Sequence, residues 1–340
     1  MRVGYSFWGF VGPGITDTPD GGRSFRAPLL DALAARHQVV LLQDNRDLAE
    51  AGDDLTDRYS WHTGLPDLDA LFLEWRWPLD GRNTTPCGTP GHTCDLHRQQ
   101  DLLDHYTHRL GVPTIIWDLD RVLPPDDPIR RHPAVAVCEP AAHPTPGAYT
   151  LRCPVDDMAL DAADSQRLAS GDRPWPLVYV GNQYGRDAEF DRYFVPAARA
   201  HRHRVAGKWT RTERWPHVNF TGRAAFLDGQ QLHRDALATV LLLPSRYAEV
   251  GHITQRLGEA VLAGCLPITP ARIRTSTTLV PPQLLAANGR QVTEIVTTLN
   301  TGSTDLRADL LADCLRRLDP FRLSRQLQTI ESLLHTGTTA

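Results

Sequence analysis

Short apolar runs recur along the chain, and most of them are continuous, with no alternation of polar positions. In the first half they are RVGYSFW (2–8), QVVLLQ (38–43), ALFLEW (70–75), PTIIWD (113–118) and AVAVC (134–138). A second series comprises PLVYVG (176–181), HRVAG (203–207), HVNFTG (217–222), ATVLLLP (238–244) and LPIT (266–269). Their length and β-branched content predict buried strands. Between them the apolar spacing turns helical, predicting helices over 24–36, 94–110, 187–200, 228–237, 252–264, 290–299 and 305–317. Continuous apolar strands that alternate with helices form parallel sheets covered on both faces. Two such series predict an α/β protein of two Rossmann-like domains facing each other across a cleft, not one large sheet.

The boundary is expected in the polar, proline-flanked stretch 154–175, giving domains at 1–160 and 161–320. A final helix within 321–340 is expected to return to the first domain. With 340 residues, 41% of them hydrophobic, the chain is long enough for two cores. No apolar run approaches the ~18 residues of a membrane span. The first residues enter a strand without a signal-peptide pattern. Six scattered cysteines make no disulfide framework. A reduced, cytoplasmic protein without membrane contact is expected; oligomeric state is left open.

Net charge is −4, so no general basic field attracts nucleic acid. Locally, residues 199–214 hold six basic side chains against the single acid Glu213. One of the six, Lys208, is the only lysine among the chain's 36 basic residues.

In open parallel sheets ligands bind beyond the carboxyl ends of the strands. In the second half those ends read Gly181-Asn182-Gln183-Tyr184, Gly207-Lys208-Trp209, Gly222-Arg223 and Pro244-Ser245-Arg246-Tyr247. Glycines permit close approach of a ligand, and Lys208, Arg223 and Arg246 provide positive charge, a combination suited to an anion. The predicted helix that follows Gly251, with His252 at its head, presents free N–H groups to a phosphate. Glu259, expected two turns along it, is placed to accept hydrogen bonds from ribose hydroxyls, as acidic residues do in dinucleotide folds. The compact Lys208 ammonium suits an end-on approach to a pyrophosphate that a planar guanidinium does not.

The stretches YVGNQYGRDAEFDRYFVPA, VNFTGRAAF and ATVLLLPSRYAEVGHITQRLGEAVLAGCLPIT resemble the donor domain of GT-B glycosyltransferases. They are most similar to the spore-maturation-type family, over about 95 residues (177–270). The resemblance implies a nucleotide-diphosphate-sugar donor held without an obligatory metal. It places Gly181 and Asn182 toward the donor, Thr254 and Arg256 at the phosphates and Glu259 at the ribose. The Glu-x7-Glu pair of many retaining relatives is missing, because Gly251 stands at its first position; inversion is therefore expected.

An inverting transfer needs a general base near the acceptor hydroxyl. The strand ends of the first half offer Asp118, ranked first, then Asp17 and Glu74. Asp20, Trp8, Trp75, Arg76 and Trp117 are candidates for the acceptor site, whether that acceptor is a small metabolite or natural product or a hydroxylated DNA base. The segment CGTPGHTCDLH brings Cys87, His92, Cys94 and His97 together, a set able to bind zinc tetrahedrally. Its C-x4-H-x-C-x2-H spacing is not a common finger, however, and Thr93 reads as an N-cap, so an ordered acceptor-side loop and no cofactor are expected. The competing function is a non-catalytic nucleotide-sugar-binding regulator with a degenerate first domain.

Overall fold

The computed structural model describes residues 1–12 and 22–336. Its described residues divide into two compact units, one of residues 1–12, 26–152 and 324–336, the other of residues 22–25 and 153–323.

The first unit holds a seven-stranded sheet built from β1 (Arg2–Ser6), β2 (Gln38–Leu41), β3 (Ser60–Trp61), β4 (Ala70–Glu74), β5 (Thr114–Trp117), β6 (Val135–Glu139) and β7 (Tyr149–Thr150). Its order is β3-β2-β1-β4-β5-β6-β7, and every pairing is parallel. All five residues of β4 are buried, as expected of a central strand covered on both faces. The chain starts at β1, builds outward to β3, then reverses through β4, so the β1/β4 ends are the switch point where ligand loops gather.

The second unit repeats the plan with β8 (Trp175–Val180), β9 (His203–Ala206), β10 (Phe220–Gly222), β11 (Ala236–Val240), β12 (Leu266–Pro270) and β13 (Leu285–Ala286). Their order is β10-β9-β8-β11-β12-β13, again parallel throughout, with the switch at β8/β11. One extended core joins Leu177, Tyr179, Phe190, Phe194, Val205, Trp215, Leu257 and Ile268.

The ten predicted strands all form, several of them shorter. The edge pieces β3, β7 and β13 were not foreseen, since two residues carry no periodicity. Two predicted helices contain a wider turn: 94–110 becomes Asp95–Leu102 followed by a π-helical Leu103–Arg109, and 187–200 contains π-helical Phe190–Phe194. The stretch 154–175 forms two short helices, Asp157–Asp161 and Ser165–Ala169, capped by the side chains of Asp156 and Asp164. Helix Leu323–Thr336 lies mostly in the first unit, where Glu331 accepts from His37 at 2.9 Å and Gln326 accepts the Arg152 N–H. No helix among the described residues is long and apolar enough to cross a membrane.

Candidate functional site

The β8, β9 and β10 ends of the second unit converge through their glycines. Gly181 N–H donates to Ala206, and Gly207 N–H donates to Gly222. Gly207 has φ +138°, and a Cβ there would lie 2.2 Å from the Gly181 oxygen, so no other residue fits without displacing the backbone. At Gly181 a Cβ would meet Arg256 Nε and the Tyr179 hydroxyl, each at 2.9 Å. Asn182 Oδ1 accepts the Lys208 N–H at 2.7 Å, and Gln183 Oε1 accepts the N–H groups of Thr210 and Arg211. Trp209 donates its indole N–H to the Gly181 oxygen at 2.8 Å. These bonds fix the strand ends and leave the half-buried Lys208 ammonium without an ion-pair partner among the described residues.

The loop after β11 carries Arg246, exposed, with its guanidinium 4.7 Å from the Tyr247 ring centre; Tyr247 in turn stacks on His252 at 3.9 Å. Arg223 is exposed beside β10. The helix expected from residue 252 begins only at Arg256 and runs to Leu262, because Gly251 to Gln255 turn into it. Thr254 therefore precedes the helix, and Glu259 lies in its first turn, not two turns along; a helix of only seven residues does not make the phosphate-binding helix start that was expected. What the segment supplies is side chains. Arg256 Nε donates to the Val180 oxygen at 3.0 Å, while Arg256 Nη1, Thr254 Oγ1 and the Tyr179 hydroxyl are buried with no hydrogen-bond partner. Burial raises the Glu259 carboxyl above its ordinary value, against the Ser24 hydroxyl and Arg256, which lower it.

Positive charge is concentrated around this point. Arg186, buried, spends its donors on the carbonyls of Asn182, Tyr184 and Leu242. Burial lowers its pKa, and the like charges of Arg256 and Arg246 lower it further. Buried His233 is pushed down to about 4 by desolvation and by Arg256. The basic run 199–214, by contrast, does not act as one patch. Arg202 and Arg204 cover the Trp175 ring at the opposite ends of the strands, and Arg211 and Arg214 pair with Asp187 and Asp191.

In the first unit several candidates turn out to be framework. Trp117 is wholly buried, with its indole N–H on the Leu151 oxygen, so it has no face for an acceptor. Both Asp118 oxygens accept backbone N–H groups, from Val122 at 3.0 Å and Leu123 at 2.8 Å, and the carboxylate is 0% exposed; burial raises its pKa despite those bonds. That geometry braces the loop after β5. Glu74 is bidentate with buried Arg26 at 3.0 and 2.9 Å and accepts the Tyr5 hydroxyl. Arg26 also donates to the carbonyls of Trp8 and Phe10, so this cluster holds the loop after β1. Trp8 is half-buried with the guanidiniums of Arg46 and Arg82 at 4.5 and 5.0 Å from its ring. Trp75 rests on the core, and Arg76 is clamped through its backbone by Gln99. Half-buried Asp120 accepts the Trp77 indole N–H at 3.1 Å. Asp17 and Asp20 lie outside the described residues.

No protein-family model matches the chain. No curated protein matches its sequence. Solved structures do match, along nearly its whole length. T4 phage β-glucosyltransferase, in complex with UDP and Mn2+, superposes with a TM-score of 0.64 at 12% identity, covering 98% of this chain and 99% of that one. A glycosyltransferase from Rickettsia africae gives 0.58 at 7% identity, over 99% and 98% of the two chains. AviGT4, a glycosyltransferase involved in avilamycin A biosynthesis, gives 0.56 at 14% identity, over 100% and 98%. The fold is that of GT-B glycosyltransferases. At these identities the likeness is one of fold alone, and it does not show the narrower spore-maturation-type family.

Sequence reasoning passed over three residues that organise this GT-B fold: Arg26, Arg186 and Asp47. Asp47 is buried and accepts the N–H groups of Val11 and Gly12. Arg26 follows Phe25 at the head of a helix and Arg186 stands in the polar stretch Gly185-Arg186-Asp187, and nothing local marks either as buried. Asp47 stands in a polar stretch where any acid reads as solvated.

Proposed function

We propose that the protein transfers a sugar from a nucleotide-diphosphate-sugar to a hydroxyl acceptor, with inversion. The observation that carries this is a set of buried, unpartnered donors: Tyr179 OH and Arg256 Nη1, from side chains packed against Gly181 at the β8 end, and Thr254 Oγ1, two residues before Arg256. A buried polar group without a partner costs about 1–3 kcal/mol; three such groups fit a ligand that supplies acceptors. A diphosphate does so, and Lys208, Arg246 and Arg256 compensate its charge as the leaving group departs. His252 and Tyr247 flank that position, Arg223 lies at its rim, Gly181 and Asn182 shape its floor, and Glu259 meets the ribose.

These residues are chiefly cationic or hydroxylic, with His252 the single imidazole and Glu259 already engaged by Ser24, a poor donor set for a divalent ion. We therefore place no metal among the groups the chain itself contributes to the donor site. T4 phage β-glucosyltransferase has been described with UDP and Mn2+, so turnover with chelator and with Mn2+ decides the point.

With Asp118 and Glu74 engaged in bracing, the general base falls to Asp17 or Asp120. Trp8, Trp75, Arg76 and Asp20 remain acceptor-side candidates. A relative in fold is described as a DNA modifying enzyme and another as acting in natural-product biosynthesis; hydroxylated duplex DNA and small hydroxylated metabolites are the two acceptor classes to assay. Thermal stabilisation by nucleotide diphosphates, followed by their release from a panel of sugar donors, tests the core of the proposal. Stabilisation without release, with every acceptor, would favour the non-catalytic regulator; neither effect would end the nucleotide-sugar reading.

A further inference from the structure

We infer that Cys87, His92, Cys94 and His97 form a structural zinc site that secures the segment after β4 in the first unit. One ligand atom of each of the four lies within 4.8 Å of all the others. A tetrahedral zinc with bonds of about 2.3 Å to sulfur and 2.0 Å to nitrogen spaces its ligands roughly 3.3–3.8 Å apart. Small side-chain adjustments bring the four into that range. Cys87 Sγ already stands 3.2 Å from His97 Nδ1.

The surroundings of His92 point the same way. The single Thr85 hydroxyl proton goes to the Arg82 oxygen at 3.1 Å, so Thr85 accepts from His92 Nδ1 at 3.1 Å. That bond makes Nε2 the nitrogen with the lone pair, and Nε2 is buried without a hydrogen-bond partner. A hydrogen-bond acceptor that fixes the imidazole tautomer from behind, here the Thr85 hydroxyl oxygen, is the usual companion of a metal-bound histidine. Thr93, expected to cap the following helix, does not: its hydroxyl donates to the Asp95 side chain, and Cys94 stands at the cap position in a left-handed conformation, φ 47°. The helix start is shaped around the cysteine.

Two thiolates and two neutral imidazoles favour zinc over oxygen-seeking cations. Binding displaces the two thiol protons and leaves the Zn(Cys)2(His)2 unit neutral. The gain is order. Asn83 bonds the Trp77 oxygen and the Asp95 carboxylate, and Gln99 clamps the backbone of Arg76, so a pinned helix start holds the Arg76–Trp77 loop in place.

The test uses the full chain, purified in zinc-containing buffer and desalted without chelator. One equivalent of zinc per chain is expected. After chelation, stoichiometric Co2+ should give thiolate-to-metal charge transfer with tetrahedral d–d bands, and bound zinc should shield the two exposed cysteines from thiol reagent, the other four being buried. Cys94→Ser should abolish stoichiometric zinc. Thr85→Val, which keeps all four ligands, should weaken zinc by about 10–100-fold. Substoichiometric zinc without a cobalt thiolate band, or a Cys87–Cys94 disulfide formed under reducing conditions, would overturn the inference; so would unchanged affinity in both variants.

Discussion

The buried imidazole of His233 makes a quantitative prediction. It is 2% exposed on the helix Phe226–Arg234, and desolvation together with the Arg256 charge pushes its pKa down to about 4 from an ordinary 6.5. The unfolded chain therefore binds a proton that the folded chain refuses between those two values. Because the folded pKa is depressed, the stability involved is fully present above pH 6.5 and is lost as pH falls toward 4. Two and a half units of difference correspond to about 3 kcal/mol at the acid limit, and about 2 kcal/mol is gone near pH 5. Urea unfolding of the native chain and of His233→Asn, each at about pH 7 and about pH 5, isolates the effect, since every other group is shared. The native chain should lose about 2 kcal/mol more than the variant over that interval. Equal losses in the two proteins would refute the reasoning, whatever offset Asn introduces at neutral pH.

Other substitutions separate framework from chemistry. Glu74→Gln leaves the Arg26 guanidinium buried without its counter-charge and should cost about 3–5 kcal/mol, seen as a lower melting temperature; full stability with lost turnover would instead return Glu74 to catalysis. Lys208→Arg should weaken donor affinity far more than it lowers the melting temperature, and unchanged affinity in isothermal titration would remove Lys208 from the donor site. Gly207→Ala should destabilise by at least ~1–3 kcal/mol through backbone strain, measurable by thermal melting, because its methyl would collide with the Gly181 carbonyl. If Glu259 meets the ribose as a carboxylate, its raised pKa makes donor affinity decline on acidification, fully present above the folded value and lost below it; Glu259→Gln should bind more weakly but with that pH dependence gone.

How far these features could be read in the chain depends on the distance over which their causes act. The strands were legible because burial on both faces writes an uninterrupted apolar run, as in Ala70–Glu74 and Ala236–Val240. The glycine strand ends were legible too, since Gly181, Gly207 and Gly222 close successive runs. The start of the helix at Arg256 was not: Gly251, His252 and Ile253 have the spacing of a helix, but the stacking of His252 on Tyr247 holds them in a turn. Among the carboxylates, Asp118 and Glu74 stand at strand ends exactly as a catalytic acid would, and only their partners, Val122, Leu123 and Arg26, mark them as braces. Residues 48 positions apart in sequence make the Arg26–Glu74 pair, and single-chain pattern carries no trace of it.

The same contrast explains why the second unit, more than the first, carries the functional proposal. Around β4 and β5 the buried carboxylates are satisfied internally: Glu74 by Arg26 and Tyr5, Asp118 by two backbone N–H groups, Glu139 by Arg130 and Arg121. Such closed networks have no energetic use for a ligand. Around the β8 end the balance is reversed, because Arg186 is turned onto carbonyls while Arg246 and Arg256 repel it, and three buried donors wait without acceptors. Folding leaves this point short of negative charge and of hydrogen-bond acceptors, two deficits that the proposed diphosphate would remove together. Phosphate alone should therefore raise the melting temperature less than a nucleotide diphosphate, and Arg256→Met should erase most of the difference while relieving the repulsion on Arg186. A variant that loses stability and keeps the full nucleotide-diphosphate response would show that Arg256 serves Val180 and the fold rather than the ligand.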